Sequence, residues 1–355
     1  MPRNTKRVLI YRLGSLGDTV VALPALHLIA RSFPEAERRM LTNFPVSVKA
    51  PAAAAVLGGN GLVDGYFRYA VGMRSPVALL RLWWDLVRWR PEVLLYLGAA
   101  RGVESARRDA SFFRMCGIWR QIGVPVTEGM QKNLKEIDGL EPECSRLVRN
   151  LQALGEVDLK DPAAWDLRLT EGERATAIEA LGGAGGRPVL AVSVGTKVQS
   201  KDWGRENWRA LLEALGGMYG GYALALTGAA EESEASEFAA AGWRAGAGDK
   251  CLVINLCGRL TPRESAACLA ESRLFLGHDS GPMHLAVAVG TPCVAIFAAR
   301  NIPRVWFPYG KQHRVVYHEV SCAGCGLETC VVERKRCLTS IGVEEVVREV
   351  RLGLS

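Results

Sequence analysis

Three stretches of this chain place polar side chains directly after short apolar runs, where a strand end would present them to a ligand. The first is Gly14-Ser15-Leu16-Gly17-Asp18, following the run at residues 8–11. Gly14 and Gly17, with Ser15 between them, allow close backbone approach at the glycines, and a helix opening here offers free N–H groups to an anion or a polar oxygen. Asp18 can cap that helix or serve as a general base on a substrate hydroxyl. The spacing is not a dinucleotide fingerprint, because G-x-x-G stands in place of G-x-G-x-x-G. The second stretch is His278-Asp279-Ser280-Gly281-Pro282-Met283-His284. Pro282 suits the first turn of a helix, and Asp279 or Ser280 can cap it. The amides of Ser280 and Gly281 would then point at a ligand, where the helix dipole favours a phosphate. His284, one turn along, can reach the same phosphate or pack as a core histidine.

The third stretch runs from Thr196 through Lys201 to Trp203. Lys201 can deliver a point charge to a diphosphate, or stand as an exposed loop lysine above Trp203 and Trp208. Glu231 follows another apolar run and can accept hydrogen bonds from ribose or sugar hydroxyls. A fourth pattern is made of cysteines. Of the ten in the chain, six stand singly in apolar or helical contexts, as buried small hydrophobes do. Cys322, Cys325, Cys330 and Cys337 instead read C-x2-C-x4-C-x6-C. Without a secretory signal such a cluster points to metal before disulfides. Four thiolates at short spacing suit one structural Zn²⁺ or a rubredoxin-like iron.

The elements that must carry these residues follow from hydrophobic period. Strands are expected at 8–11, 39–42, 66–69 and 93–97, with helices at 19–33, 46–57, 77–89 and 104–116. A polar stretch at 155–167 containing Pro162 reads as a linker. The alternation then restarts, with strands at 189–194, 223–226, 253–256, 274–277 and 293–297. Helices are expected at 207–218, 232–241, 262–270, 282–289 and, after the cysteines, 343–352. Two runs of βα units imply an α/β protein of two doubly wound, Rossmann-like domains facing each other across a cleft. Ligands in such sheets sit beyond the carboxyl ends of the strands. The expected division is residues 1–160, residues 161–341, and a closing helix within 342–355.

Composition narrows the function classes. The chain has 355 residues, 49% hydrophobic and 23% charged, which excludes disorder and collagen-like order. Its most apolar stretch, 285–299, is broken by Gly290, Thr291 and Pro292 and falls short of the ~20 residues a membrane helix needs. Arg12 and Asp18 interrupt what would be a signal peptide's apolar region, so a soluble, cytoplasmic protein is expected. The net charge of +7 is uneven: residues 1–160 hold 23 Lys+Arg against 15 Asp+Glu, and the remainder 21 against 22. Residues 68–120 hold ten arginines and four acids beside Trp83, Trp84 and Trp89. That mixture suits an anionic ligand or the surface of a membrane, or else solvated helix faces with tryptophans packed inward. No motif for nucleic acid accompanies it.

Together these stretches resemble glycosyltransferase family 9, the group containing the ADP-heptose:lipopolysaccharide heptosyltransferases. The resemblance rests on R-L-G-S-L-G-D-T-V-V-A-L-P-A-L at 12–26, K-x-W at 201–203 and D-S-G-P-M-H at 279–284. The late cysteines, with Ile341 and the closing helix, match a subset of that family. The resemblance implies a GT-B fold, an acceptor bound by the first domain, and a nucleotide sugar held by the second. It also implies a last helix that crosses back onto the first domain. Asp18 would deprotonate the acceptor hydroxyl in an inverting displacement. Thr196, Lys201, Ser280, Gly281 and His284 would hold the donor diphosphate, with Glu231 and Asp279 near the donor. The family's usual donor is ADP-heptose and its acceptor an anionic cell-surface glycan or glycolipid, which suits peripheral association with the inner face of the cytoplasmic membrane. A clamp of this kind replaces a divalent cation, so no catalytic metal is expected. Two other activities are compatible with the resemblance: heptosyl transfer to a protein side chain, and nucleotide-sugar binding without transfer. Asp18 standing together with Lys201 argues against the binder. A sugar-nucleotide epimerase on the same fold would need further acidic residues near the anomeric carbon.

Overall fold

The structure, a computed structural model, describes residues 5–44, 52–70, 75–136, 139–331 and 333–355. The chain forms two compact units, Met1–Arg168 and Leu169–Ser355. Each is a parallel sheet wrapped by helices.

In the first unit, β1 (Arg7–Tyr11), α1 (Leu16–Val21), α2 (Leu23–Ser32), β2 (Glu37–Asn43), α3 (Ala53–Leu57) and β3 (Gly65–Tyr69) form one half. The other half is α4 (Pro76–Trp89), β4 (Val93–Tyr96), α5 (Val103–Met115) and β5 (Arg120–Ile122). A short α6 (Glu128–Gln131), the hairpin β6 (Lys135–Glu136) and β7 (Gly139–Leu140), and α7 (Glu143–Asn150) complete it. The sheet order is β3-β2-β1-β4-β5, with Val8 opposite Arg38 on one side and Val93 on the other. Val8, Leu9 and Ile10 are wholly buried, as a strand covered on both faces requires. The helix expected over 46–57 falls partly outside the described residues, and Ala53–Leu57 is helical.

The second unit contains α8 (Glu171–Ala180), β8 (Val189–Ser193), α9 (Arg205–Tyr219), β9 (Ala223–Leu226), α10 (Ser233–Ala247), β10 (Val253–Asn255) and α11 (Pro262–Ala270). After these come β11 (Leu274–His278), α12 (Gly281–Ala288), β12 (Cys293–Phe297), β13 (Arg314–Tyr317), α13 (Arg336–Thr339) and α14 (Val343–Leu354). Its six parallel strands run β10-β9-β8-β11-β12-β13. The order reverses beside β8 and β11, the switch point at which such sheets bind ligands.

Two expectations about organisation are corrected. The first unit extends to Arg168, beyond the expected boundary at 160, because the polar stretch is anchored. Trp165 and Leu167 are buried, and Asn60 Nδ2 donates to Leu167 O at 3.4 Å. The closing helix belongs to the second unit. Val346 and Val350, one turn apart on α14, are fully buried in the core that holds Leu190, Leu276 and Ile296. Arg314 on β13 also pairs with Glu349 at 3.1 Å. An apolar i, i+4 stripe covers whichever sheet face lies beside it, and here that is the sheet of its own unit.

Candidate functional site

In the first unit the Gly14–Asp18 turn leaves the carboxyl end of β1. Gly14 N–H donates to Asn43 Oδ1, at the end of β2, at 2.7 Å. Asp18 is the third residue of α1 and closes a capping box: its Oδ2 accepts from Ser15 N–H at 2.7 Å and from Ser15 Oγ at 3.0 Å. Gly14 has φ of +152°, and a Cβ there would collide with the Asp18 side chain, so only glycine lets the turn fold over this carboxylate. Beneath it lies Arg12, 1% exposed. Its guanidinium donates to Asp18 O at 2.6 and 3.0 Å and to Leu97 O at 2.6 Å, bracing β1, α1 and β4. Asp18 Oδ1 lies 3.7 Å from Arg12 Nη2, and the side chain is 26% exposed. One carboxylate oxygen is therefore engaged in the cap while the other faces a buried cation. Capping and base chemistry are thus compatible in one residue.

The same strand ends carry a polar cluster that sequence pattern did not single out. Arg101 Nη2 donates to Tyr11 OH at 3.1 Å and pairs with Asp109 at 2.5 Å, while Tyr96 OH donates to Asp109 at 2.8 Å. Burial, aided by the Asp109 charge, pushes the Tyr11 phenol up to about 12 and that of Tyr96 higher still. Both therefore remain neutral hydrogen-bonding groups. The tyrosines read as strand residues, and only their place at the carboxyl ends of adjacent strands brings them together.

In the second unit β8 and β11 deliver the Thr196–Trp203 loop and the Asp279–His284 turn to one edge. Lys201 Nζ pairs with Asp279 Oδ2 at 2.6 Å and donates to Asp279 O at 3.1 Å. The side chains are 17% and 5% exposed, so the lysine is no free loop cation. Asn301 Nδ2 gives the same Asp279 oxygen a second donor at 3.2 Å. Ser280 is the N-cap residue of α12, with Pro282 in its first turn. Ser280 Oγ is buried without a hydrogen-bond partner among the described residues. Such a group normally finds one. Gly281 opens the helix, Thr196 is half-buried just beyond β8, and His284 is buried with its ring 6.4 Å from that of Trp306.

His278 locks the loop to the strand. Its Nε2 accepts from Trp203 N–H at 3.1 Å and from Trp208 Nε1–H at 3.3 Å, which leaves the ring proton on Nδ1. Complete burial pushes its pKa down to about 4. The loop is strapped from its other side by the cysteine segment. Glu328 O accepts from Ser200 N–H at 3.0 Å, Leu327 O from Ser200 Oγ at 2.6 Å, and Gln199 Oε1 from Cys330 N–H at 3.1 Å. Lys335 Nζ completes the strap by donating to Asp202 O at 2.7 Å.

One expectation, the cysteine ligand set, differs from what is seen. Glu231 is exposed. Its neighbour Glu232 turns inward, where its Oε2 accepts from Ala229 N–H at 2.8 Å. A Cβ at Gly195 or Gly228 would collide with this carboxylate, so both glycines are there to admit it. The signal was present in the sequence as glycines ending two adjacent strands. The cysteines, for their part, do not form a ligand set. Cys325 is exposed, Cys322, Cys330 and Cys337 are partly buried, and all four are free thiols. Among the described residues no group of three or more His, Cys, Asp or Glu is placed to hold a metal ion. Cys330 Sγ instead accepts the N–H of Lys335 at 3.2 Å. Burial, with Cys322 and Cys330 nearby, raises the Cys337 thiol. No described helix is long and apolar enough to cross a membrane.

Comparison with known proteins bears on the family and the fold. Over 100 residues the chain is 29% identical to lipooligosaccharide heptosyltransferase 2 of Campylobacter jejuni, a match spanning 28% of this chain and only 31% of that protein. It is 24% identical to lipopolysaccharide heptosyltransferase 1 of Pseudomonas aeruginosa over 92% of this chain and 88% of that one. In fold it resembles the glycosyl transferase family 9 protein of Veillonella parvula, with a TM-score of 0.72 at 17% identity over 98% of this chain and 97% of that chain. Residues 137–335, more than half of the chain and including Lys201 and the Asp279–His284 turn, match the family described as glycosyltransferase family 9 (heptosyltransferase), and to that family the chain belongs.

Proposed function

We propose that this chain is an inverting heptosyltransferase that moves a heptose from ADP-heptose to a hydroxyl of an anionic glycolipid, of the lipopolysaccharide-core class, at the inner face of the cytoplasmic membrane. The observation that carries the reading is the Lys201–Asp279 pair held beside the start of α12, with the Ser280 hydroxyl buried and unpartnered among the described residues. A lysine, a hydroxyl and two helix-start amides form a ready cradle for a diphosphate. Relatives in the family are named lipopolysaccharide or lipooligosaccharide heptosyltransferases, which supports a heptose and this class of acceptor.

In this reading Asp18 Oδ1 takes the proton of the acceptor hydroxyl as its oxygen attacks the anomeric carbon. Oδ2, bonded to Ser15, keeps the carboxylate in place. The bond from the anomeric carbon to the diphosphate breaks, and the charge that grows on the leaving group is met by Lys201 and by the Ser280 and Gly281 amides. Thr196 and His284 complete the donor contacts. Glu231, exposed after β9, is left to meet donor hydroxyls, while the inward Glu232 braces the turn at Ala229. Fixed donors of this kind cost no reorganisation during the reaction. As placed, the four cysteines do not fit a bound Zn²⁺ or iron, and no step here passes through a metal.

Product mass after incubation with ADP-heptose and a lipid A–core acceptor tests the reading. A parallel panel of UDP-, GDP- and dTDP-sugars and of protein acceptors tests its specificity. A mass increase of one heptose on the glycolipid supports it. Transfer only from another nucleotide sugar, or only onto protein, replaces donor or acceptor, and donor binding without transfer in any combination leaves a binding protein.

A further inference from the structure

The outer face of α4 is apolar where a surface helix is normally polar. Its inner face is accounted for: Leu82, Leu86 and Trp89 enter the core with Leu9, Leu94 and Phe113. On the opposite side Val77, Leu80 and Trp84 are 75%, 62% and 57% exposed. Positions i, i+3 and i+7 form one stripe along a helix. The stripe continues beyond α4, because Trp83 Nε1–H donates to Met115 O at 3.0 Å and so fixes the end of α5 alongside. There Met115 is 67% and Trp119 77% exposed. Large apolar side chains gathered at a surface mark a contact with something other than water.

We infer that this face, α4 together with the end of α5, docks on an anionic lipid bilayer. Charge selects the occupant. Exposed Arg81 and Arg88 flank the stripe on α4, and Arg114 stands beside Met115. Across 76–120 there are eight arginines against four acids, and two of those acids, Glu104 and Asp109, are paired with Arg107 and Arg101. A second copy docked by this face would set arginines against arginines. A negatively charged headgroup layer complements them. Two exposed tryptophans on a rigid apolar ridge suit the interfacial level of a bilayer, where the indole ring buries its apolar body and keeps its N–H wet. The assignment rests on the proposed glycolipid acceptor and adds the surface that brings the protein to it.

The test is co-sedimentation of the whole protein with vesicles of phosphatidylcholine alone or with phosphatidylglycerol at 3:1. The proteins compared are wild type, Trp84→Ser/Trp119→Ser and Arg81→Gln/Arg88→Gln. Wild type is expected to bind the anionic vesicles and to be released as salt rises. The arginine pair should weaken binding roughly 20- to 30-fold at low salt, and the tryptophan pair at least tenfold. Brominated lipid should quench tryptophan fluorescence in wild type and less in the tryptophan variant. Melting temperature and calorimetric ADP binding should match wild type in both. No binding to anionic vesicles at low salt, or full binding by the tryptophan variant, overturns the docking surface. So does a wild-type dimer in sedimentation velocity that the tryptophan variant abolishes, since the face then joins two copies. Vesicle binding without ADP binding would instead overturn the transferase reading and leave the docking surface standing.

Discussion

The Lys201–Asp279 pair makes the donor-site reading quantitative. If Lys201 holds the donor diphosphate, the phosphate must compete with a carboxylate 2.6 Å from Nζ. Lys201→Ala removes a charge-assisted hydrogen bond worth ~1.5–3 kcal/mol, so ADP should bind roughly ten- to more than a hundredfold more weakly. Turnover should also fall, because leaving-group charge is larger in the transition state than in the ground state. Asp279→Asn should do the opposite to ADP, tightening it by about tenfold, since the competing charge is gone while Asp279 O still positions Nζ at 3.1 Å. Stability gives a second, independent readout. Lys201→Ala leaves a carboxylate that is 5% exposed with Asn301 as its remaining named donor. Breaking a buried pair costs about 3–5 kcal/mol, and the partly exposed lysine puts this case near the lower end. The double variant should recover most of that stability and none of the ADP affinity, a non-additivity that only coupled residues give. Calorimetric titration with ADP and urea unfolding of wild type, both singles and the double measure all of it. If Asp279→Asn weakens ADP as much as Lys201→Ala does, Asp279 contacts the donor itself and the competition argument fails. If Lys201→Ala binds ADP like wild type, the donor site lies elsewhere.

Three further outcomes are expected. Asp18→Asn should lower turnover by ~10²-fold or more with ADP affinity unchanged, because asparagine keeps the Ser15 cap and loses the base; near-normal turnover in a steady-state assay would reduce Asp18 to a cap. His278, held near pKa 4 against about 6.5 when unfolded, takes a proton in the unfolded chain first, so stability is complete above pH 6.5 and declines toward pH 4 by up to about 3 kcal/mol. His278→Asn should flatten that slope in urea unfolding at pH 7 and pH 5, with His313, also near 4, and His27, lowered by burial as well, contributing to what remains. Dialysis against a chelator should leave turnover unchanged, and metal analysis of protein purified without added metal should find well under one equivalent; a full equivalent would overturn the reading that the four late cysteines hold no metal.

What the sequence made legible was set by how local the signal is. The central strands show as apolar runs because a parallel strand covered on both faces leaves no alternation to misread. β13, by contrast, is an edge strand beginning with Arg314 and only half-buried, and its pattern is too weak to stand out. Buried cations hide as well. Arg38 is 8% exposed inside β2, its guanidinium donating to Phe33 O at 2.8 Å and Ala36 O at 3.0 Å, contacts that no periodicity announces. At the site, the motif residues were legible by type and order, whereas their partners were not. Asp279 stood out as a possible cap and is the counter-ion of Lys201. Glu231 stood out as the acid after a strand, and the turn through Ala229 directs Glu232 inward instead. The closing helix shows the same limit, since its Val346–Val350 stripe is plain in sequence and the sheet that receives it is a matter of tertiary position.

The cysteine segment gains a different meaning from this geometry. Sequence spacing presents it as a module of its own, yet its backbone is bonded to the loop that carries Lys201 at Gln199 and Ser200, and the Lys335 ammonium is bonded to Asp202 O. Arg300 tightens the arrangement from below, donating to Leu327 O at 2.8 Å and Gly326 O at 2.7 Å. For Lys201 to meet developing charge as proposed, its loop must not wander. The short 3₁₀ turn at Gln199–Lys201 has little stability of its own. Two supports fix it: His278 beneath Trp203 and Trp208, and the segment 327–335 across its outer side. Lys335, in a left-handed conformation at φ of 60°, bears the amide that binds Cys330 Sγ and the ammonium that binds Asp202. Cys330 therefore touches the Lys201 loop by two routes, through its own N–H on Gln199 and through the Lys335 amide held by its Sγ.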